Sequence, residues 1–329
     1  MPPLLHRRAL LGAGLASLIP ATVAHAAPAP GSDWPSRPIR LIVPYPAGGA
    51  ADQTARGLAT VLGERLRTPI IIDNRPGAGG SIGAAAVAQA PADGYTLLLD
   101  ATGFTVNPSL MSLPFDPVKD LAPLSLLMQV PMLLVVPAQA PWRSLPELVQ
   151  AARARPGSLS FASAGNGSAQ HLAGELFKQR QQLFITHIPY RGGAPALNDL
   201  MAGQVDLMFS AMPASGPLVK GGKLRALAVT ASARVPSLPA LPTVAESGSP
   251  GFVAQEWNGL WAPAKTPPEL LARLETEVRA AMASPELQQR LAAQGAQAVG
   301  SSRADFSRFL QAESRQWAQV IRAAGITLN

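Results

Sequence analysis

Short apolar, β-branched runs alternate along the chain with longer segments of helical spacing. Ile39-Arg40-Leu41-Ile42-Val43 has the character of a buried parallel strand. Pro44 to Gly49 breaks it. From Ala50 to Arg67 apolar residues recur at helical intervals, with Ala55, Leu58, Ala59, Leu62 and Leu66 on one face. Residues 69–73 read as a second strand, 74–80 as a loop, 81–90 as a small-residue helix and 95–99 as a third strand after an Asp93-Gly94 turn. Strand, helix, strand, helix, strand predicts a parallel sheet covered on both faces.

The pattern returns further on. Strands are expected at 132–136, 159–162, 184–188, 205–209 and 224–229, and helices at 145–153, 168–179 and 195–202. Pro-rich stretches at 236–242 and 263–268 close this second unit. Three helices follow, at 268–283, 285–294 and 303–324, and they are expected to pack back onto the first unit. The fold class is therefore α/β, with two Rossmann-like lobes joined by a two-segment hinge near 125–131 and 255–261. Lobe 1 comprises 27–130 plus 254–329, and lobe 2 comprises 131–253. A cleft between two such lobes is a preferred place for a small ligand.

Residues 1–26 read as a secretory signal peptide. Arg7-Arg8 supply the positive start, and 9–24 form an apolar run short of the ~20 residues that span a bilayer. Ala24-His25-Ala26 gives a small-x-small cleavage pattern. The arginine pair also matches a weak twin-arginine signal. A cleaved signal places the mature chain in the periplasm.

Composition narrows the field. Of 329 residues, 47% are apolar and 14% charged, which is globular and not disordered. The net charge of +7 falls to +5 without Arg7 and Arg8, and the remaining Lys and Arg are scattered, so no nucleic-acid partner is expected. Cysteine is absent, which excludes disulfides, thiolate nucleophiles and Cys-ligated metals. His6 and His25 leave with the signal, and His171 and His187 share no zinc spacing. No metal site and no cofactor are expected.

Two corners carry candidate chemistry. Gly48-Gly49 lie where the first strand meets the first helix, and exposed N–H groups at a helix start attract anions. Asp52 stands in that first helical turn, with capping as its ordinary role. The run from Ser163 through Gly165-Asn166-Gly167-Ser168 to His171 repeats the design in lobe 2. There the Ser168 hydroxyl is a candidate grip, and His171 is either a ligand contact or a satisfied core histidine. Two other patterns are poor fits. Gly77-x-Gly79-x-x-x-Gly83 is a loosened dinucleotide fingerprint on the wrong helix. Gly79-Gly80-Ser81-Ile82-Gly83 satisfies G-x-S-x-G, but its serine lies several residues beyond the strand end, so an exported serine hydrolase is a minor alternative.

Five motifs are spread over the mature chain: Val43-Pro44-Tyr45-Pro46-Ala47-Gly48-Gly49, Asp73-Asn74-Arg75-Pro76-Gly77-Ala78-Gly79-Gly80, Pro189-Tyr190-Arg191-Gly192, Gly203-Gln204-Val205-Asp206 and Trp257-Asn258-Gly259-Leu260. In their order and spacing they resemble the Bug family of extracytoplasmic solute-binding components of tripartite tricarboxylate transporters. The resemblance implies a type II-like periplasmic binding protein fold and no enzymatic activity. It implies that backbone groups of Tyr45, Pro46, Ala47, Gly48 and Gly49 grip a ligand carboxylate, with Ser163 to Ser168 contributing from the opposite lobe. Asp52, Thr102, Asn107, His171, Arg191, Gly192 and Asp206 complete the candidate set. The implied partners are a small organic acid (a dicarboxylate, tricarboxylate, amino acid or aromatic acid) and membrane permease subunits, with the chain itself a monomer. A ligand-sensing module for a membrane receptor would need the same cleft. Asp100 and Phe104 depart from the family's small polar residues. Asp100 is expected to face solvent from a loop, the alternative being an acid that points into the cleft and disfavours acidic ligands.

Overall fold

The computed structural model describes residues 34–328. The expected signal segment 1–26, with Arg7-Arg8 and its cleavage pattern, lies outside the described residues. Strand β1 (Ile39–Val43) pairs in parallel with β2 (Ile70–Asn74) on one side and β3 (Thr96–Ala101) on the other. The helices α1 (Ala50–Leu66) and α2 (Ser81–Ala88) connect them. A third helix, α3 (Gly103–Leu110), follows β3.

The chain then enters β4 (Leu121–Pro137), a strand of 17 residues. Its first part, Leu121–Pro131, pairs antiparallel with β9 (Gln255–Pro263), which in turn pairs antiparallel with β3. Its second part pairs antiparallel with β7 (Leu207–Ala211) and β8 (Leu224–Val229). β5 (Ser160–Ser163) lies parallel to β7 and to β6 (Thr186–Pro189). The helices α4 (Leu145–Ala154), α5 (Ala169–Gln181), α6 (Gly193–Met201) and α7 (Met212–Lys220) cover this second ladder. The chain ends with α8 (Pro268–Met282), α9 (Pro285–Ala293), the two-residue β10 (Gln297–Ala298) against β4, and α10 (Arg303–Ala324).

The second half of β4 is buried on both faces, as its unbroken apolar sequence demands. Met132, Leu134 and Val136 pack among Phe161, Phe177 and Phe209, while Leu133 and Val135 pack among Ala196, Leu197 and Leu200. A third cluster gathers Ile42, Phe104, Trp257, Trp261 and Phe306.

Several expectations are corrected. The sheet is mixed rather than wholly parallel, because β9 and β4 run antiparallel to their neighbours. The two segments expected to cross between the lobes are long strands hydrogen-bonded to each other. Helices α3 and α7 escaped the sequence reading because each carries an internal proline, Pro108 and Pro217, which argues against a helix in isolation. The C-terminal helices do not all return to the first half. Phe306 and Phe309 of α10 pack with Trp257, but Trp317, Val320 and Ile321 join the core around Met132. Helix α10 thus straps both cores together.

Gly259 of β9 lies directly beneath α10. A Cβ built there would approach the Phe306 Cζ to 2.2 Å. Gly259→Ala is therefore expected to destabilise the fold by about 1–3 kcal/mol through overpacking, measured by denaturant unfolding; an unchanged midpoint would contradict this packing.

Candidate functional site

The β1–α1 corner is braced by one buried carboxylate. Asp52, in the first turn of α1, is 2% exposed. Its Oδ2 accepts the Gly48 N–H at 2.8 Å and the Arg56 Nε–H at 2.8 Å, and its Oδ1 accepts from Asn74 Nδ2 at 3.0 Å. Asn74 Nδ2 also donates to the Tyr45 carbonyl at 3.0 Å. The hydrogen bond from Arg56, helped by those from Gly48 and Asn74, outweighs burial and lowers the Asp52 pKa to about 2. Gly48 takes φ +83° to make this turn, a conformation glycine adopts without strain. Asp52 therefore acts on its own loop, and the Gly48 N–H is already engaged by it. The open donors of the corner are those that begin α1, since the first N–H groups of a helix have no intrahelical acceptor.

These donors border a cavity of about 440 Å³. Tyr45, Pro46, Gly49, Ala50 and Ala51 form one wall, Ala101, Thr102 and Gly103 a second, and Met128, Val130, Glu256, Trp257 and Asn258 a third. Ala169, the first residue of α5, closes it from the other half. Two helix starts, of α1 and α5, thus meet at one cavity with no Lys or Arg among its lining residues.

Behind the Tyr45 wall sits Asp100. It is the fifth residue of β3 and 2% exposed, so the expectation of a solvent-facing loop residue is corrected. Its Oδ1 accepts the Tyr45 O–H at 2.8 Å and the Ala101 N–H at 2.7 Å. Burial raises its pKa to about 7 despite these two bonds, and burial with the adjacent acid raises the Tyr45 phenol as well. Gly80, at φ +100°, leaves room for this pair: a Cβ there would lie 3.4 Å from the Tyr45 hydroxyl.

The lobe 2 corner uses most of its donors internally. Gly165 N–H reaches the Ser163 Oγ at 3.2 Å, Ser168 N–H the Gly165 carbonyl at 3.2 Å and Gly167 N–H the His171 Nδ1 at 3.1 Å. Ser168 caps α5 by accepting from His171 N–H at 3.3 Å, and donates its own proton to the Gly165 carbonyl at 2.7 Å. His171 stacks on His187 with ring centroids 3.8 Å apart, and His187 Nε2 lies 2.7 Å from the Ser163 Oγ. Burial first, with neighbouring positive charge, lowers the two imidazoles to about 3 and about 4. His171 is thus a neutral core histidine, satisfied by a backbone N–H.

Of the sequence-predicted set, Tyr45, Pro46, Gly49 and Thr102 line the cavity. Ala47 and Gly48 belong to the same loop without lining it, and Asp52 braces that loop. Asn107 does not line it, because its amide donates to the Gly79 carbonyl at 2.8 Å. Asp206 holds the Ser160 N–H at 2.8 Å and its hydroxyl at 3.1 Å. Ser163, Asn166, Gly167, Ser168 and His171 are not among its lining residues, nor are exposed Arg191 and Gly192, which precede α6. Sequence reasoning missed Glu256 and Asn258 as wall residues, although Trp257-Asn258-Gly259 was among the recognised stretches. The signal available was position: both lie where the chain crosses between halves. Ser81 opens α2, and both imidazoles available to a triad are engaged elsewhere. Among the described residues no acidic or histidine cluster able to hold a metal ion occurs, and no helix is long and apolar enough to cross a membrane.

Two α/β halves that share a pair of crossing strands, with helix N-termini meeting at a cavity beside that pair, define a two-lobed solute-binding protein. A family model described as "Tripartite tricarboxylate transporter family receptor" matches residues 54–326. Protein BugT of Bordetella pertussis is 41% identical over 312 residues, covering 94% of this chain and 96% of BugT. The solved structure of R. palustris Rpa4515 with adipate superposes with a TM-score of 0.76 at 40% identity, covering 90% of this chain and 99% of that one. MatC from Rhodopseudomonas palustris, with bound malate, gives 0.71 at 32% identity, covering 88% and 100%. The chain belongs to the Bug family of tripartite tricarboxylate transporter receptors.

Asp100 yields a pH prediction. Its folded pKa, about 7, lies above the unfolded value of ~3.9. Its contribution to stability is therefore full below about pH 4 and is lost as pH rises toward 7. Asp100→Asn keeps both acceptor contacts and removes the titration. The variant should match wild type near pH ~4 and exceed it at pH ~8 by several degrees in Tm. A wild type equally stable relative to the variant at both pH values would contradict the assignment.

Proposed function

We propose that the chain captures a small carboxylate in the periplasm, after cleavage of its 1–26 signal, and delivers it as a monomer to the permease subunits of a tripartite transporter. The ligand sits between lobe 1 (27–130 plus 254–329) and lobe 2 (131–253). Its carboxylate takes the N–H groups that open α1, beside Tyr45, Pro46 and Thr102. One observation carries this reading: the start of α1 and the start of α5 border the same cavity from opposite halves. Charge-assisted hydrogen bonds from main-chain donors are strong, and the helix dipole adds ~0.3–1 kcal/mol at each end. The relatives solved with adipate and malate support a carboxylate as the ligand class. Hinge closure of the lobes on the ligand would give the transporter a distinct shape to read.

Calorimetry against mono-, di- and tricarboxylates, amino acids and aromatic acids tests the reading, and silence across that panel would overturn it. Ala50→Pro isolates the grip. Proline suits the first position of a helix and removes its N–H, and Gly49 already has the extended backbone that proline requires of its predecessor. The variant should fold normally and bind roughly tenfold to a hundredfold more weakly, as expected for one charge-assisted bond. Wild-type affinity in Ala50→Pro would place the carboxylate elsewhere.

A further inference from the structure

The third wall of the cavity differs in chemistry from the corner opposite. Glu256 and Asn258 are alternate residues of β9, so their side chains leave the same face of the strand. Trp257, between them, turns the other way into the core, where its indole N–H donates to Glu313 at 3.0 Å. Both Glu256 and Asn258 line the cavity.

Each presents an acceptor without an adequate donor. Asn258 is 3% exposed, and its amide nitrogen donates to the Trp257 carbonyl at 3.2 Å, while its Oδ1 is buried with no hydrogen-bond partner among the described residues. Glu256 accepts from Gln170 Nε2 at 2.7 Å, a neutral donor from the first turn of α5. It has no ion pair with any described Lys, Arg or His, and burial raises its carboxyl pKa. The next carboxyl, Asp100, stands behind Tyr45. The cavity therefore has one anion-favouring end, at α1. At the other end the protein's own carboxyl already occupies the neighbourhood of the α5 start.

A dicarboxylate would bring its second carboxylate toward Glu256, with no cation among the lining residues to separate them. Like charges confined in such a site disfavour joint ionisation. A ligand ammonium meets the opposite situation, since it supplies both donors and a countercharge to Glu256. The geometry points to Glu256 as the residue that selects ligands carrying an ammonium at the end away from the carboxylate, so that the chain takes amino carboxylates in preference to dicarboxylates. This assignment rests on the carboxylate-binding reading and narrows it to one ligand class.

Matched ligand pairs test it. β-Alanine with malonate, γ-aminobutyrate with succinate, and ε-aminocaproate with adipate each keep chain length and exchange an ammonium for a carboxylate; the proteinogenic amino acids and malate complete the set. In calorimetry on the mature protein, the amino carboxylate of the best-binding pair should bind at least about tenfold more tightly than its dicarboxylate partner. Glu256→Gln, which retains the acceptor for Gln170, should erase or invert that ratio while leaving the melting temperature of the unliganded protein at or above that of wild type. Tighter binding of the dicarboxylates in wild type, or an unchanged ratio in Glu256→Gln, overturns the assignment and leaves carboxylate capture standing. Silence across the whole set overturns the assignment, and silence across the wider carboxylate panel as well overturns carboxylate capture.

Discussion

The antiparallel ladder between β4 and β9 is the constraint on which the rest of the molecule hangs. Each strand passes from one core to the other, and they are hydrogen-bonded from Leu121↔Pro263 to Pro131↔Gln255. Two irregularities interrupt the register, at Pro123/Ser125 and at Leu126/Met128. Such bulges bend a strand and increase its local twist. The second is adjacent to Met128 and Val130, which line the cavity. A continuous ladder keeps the backbone polar groups of the crossover paired. The paired strands thereby join the two halves along most of the crossover. Helix α10, with one end in each core, limits how far they can separate.

On that frame the binding corner is made rigid by charge rather than by bulk. Ala47, Gly48 and Gly49 bring almost no side chain to pack. The loop is held instead by the Asp52 carboxylate, which draws in the Gly48 N–H, Asn74 and Arg56, while Asn74 holds the Tyr45 carbonyl. Asp52 is buried and Arg56 about half exposed, so the ion pair matters chiefly by keeping the carboxylate charged. Small residues at the rim leave the main-chain donors open to the cavity, and a buried polar network behind them keeps those donors aimed. The Tyr45–Asp100 pair does the same for the neighbouring wall.

Strand and helix positions in the α/β units were legible because their signals are local. β1 and β8 stand where the apolar runs lie, and α10 spans its full expected length. What the sequence concealed depends on contacts far along the chain. The segments 121–131 and 255–263 carry prolines and polar residues and look like linkers; only their mutual pairing, more than a hundred residues apart, makes them strands. Asp100 follows an apolar strand and reads as the first loop residue, yet Tyr45 and Gly80 build a pocket that admits it. The glycine corner of lobe 1 was legible as a strand-to-helix turn, and the structure puts Gly49 on the lining of a cavity. The matching corner of lobe 2 looked equivalent, and only the structure reveals that Ser163, His171 and the Gly165 carbonyl take up its donors and acceptors.

This last difference bears on how one fold serves many acids. A site that relies on helix starts for the carboxylate places no charged side chain at the grip, and so avoids the desolvation cost that a buried Arg would carry. The grip then recognises the group shared by all the ligands and says little about the remainder of the molecule. Discrimination must come from the opposite wall, where the side chains of β9 alternate between core and cavity. A position whose side chain faces the cavity can change without disturbing the core, because its neighbours Trp257 and Gly259 carry the packing against α10. Glu256 and Asn258 occupy such positions. On the proposed reading, the wall that would set the ligand can change without disturbing the core, while the corner that would hold it is fixed by the network around Asp52.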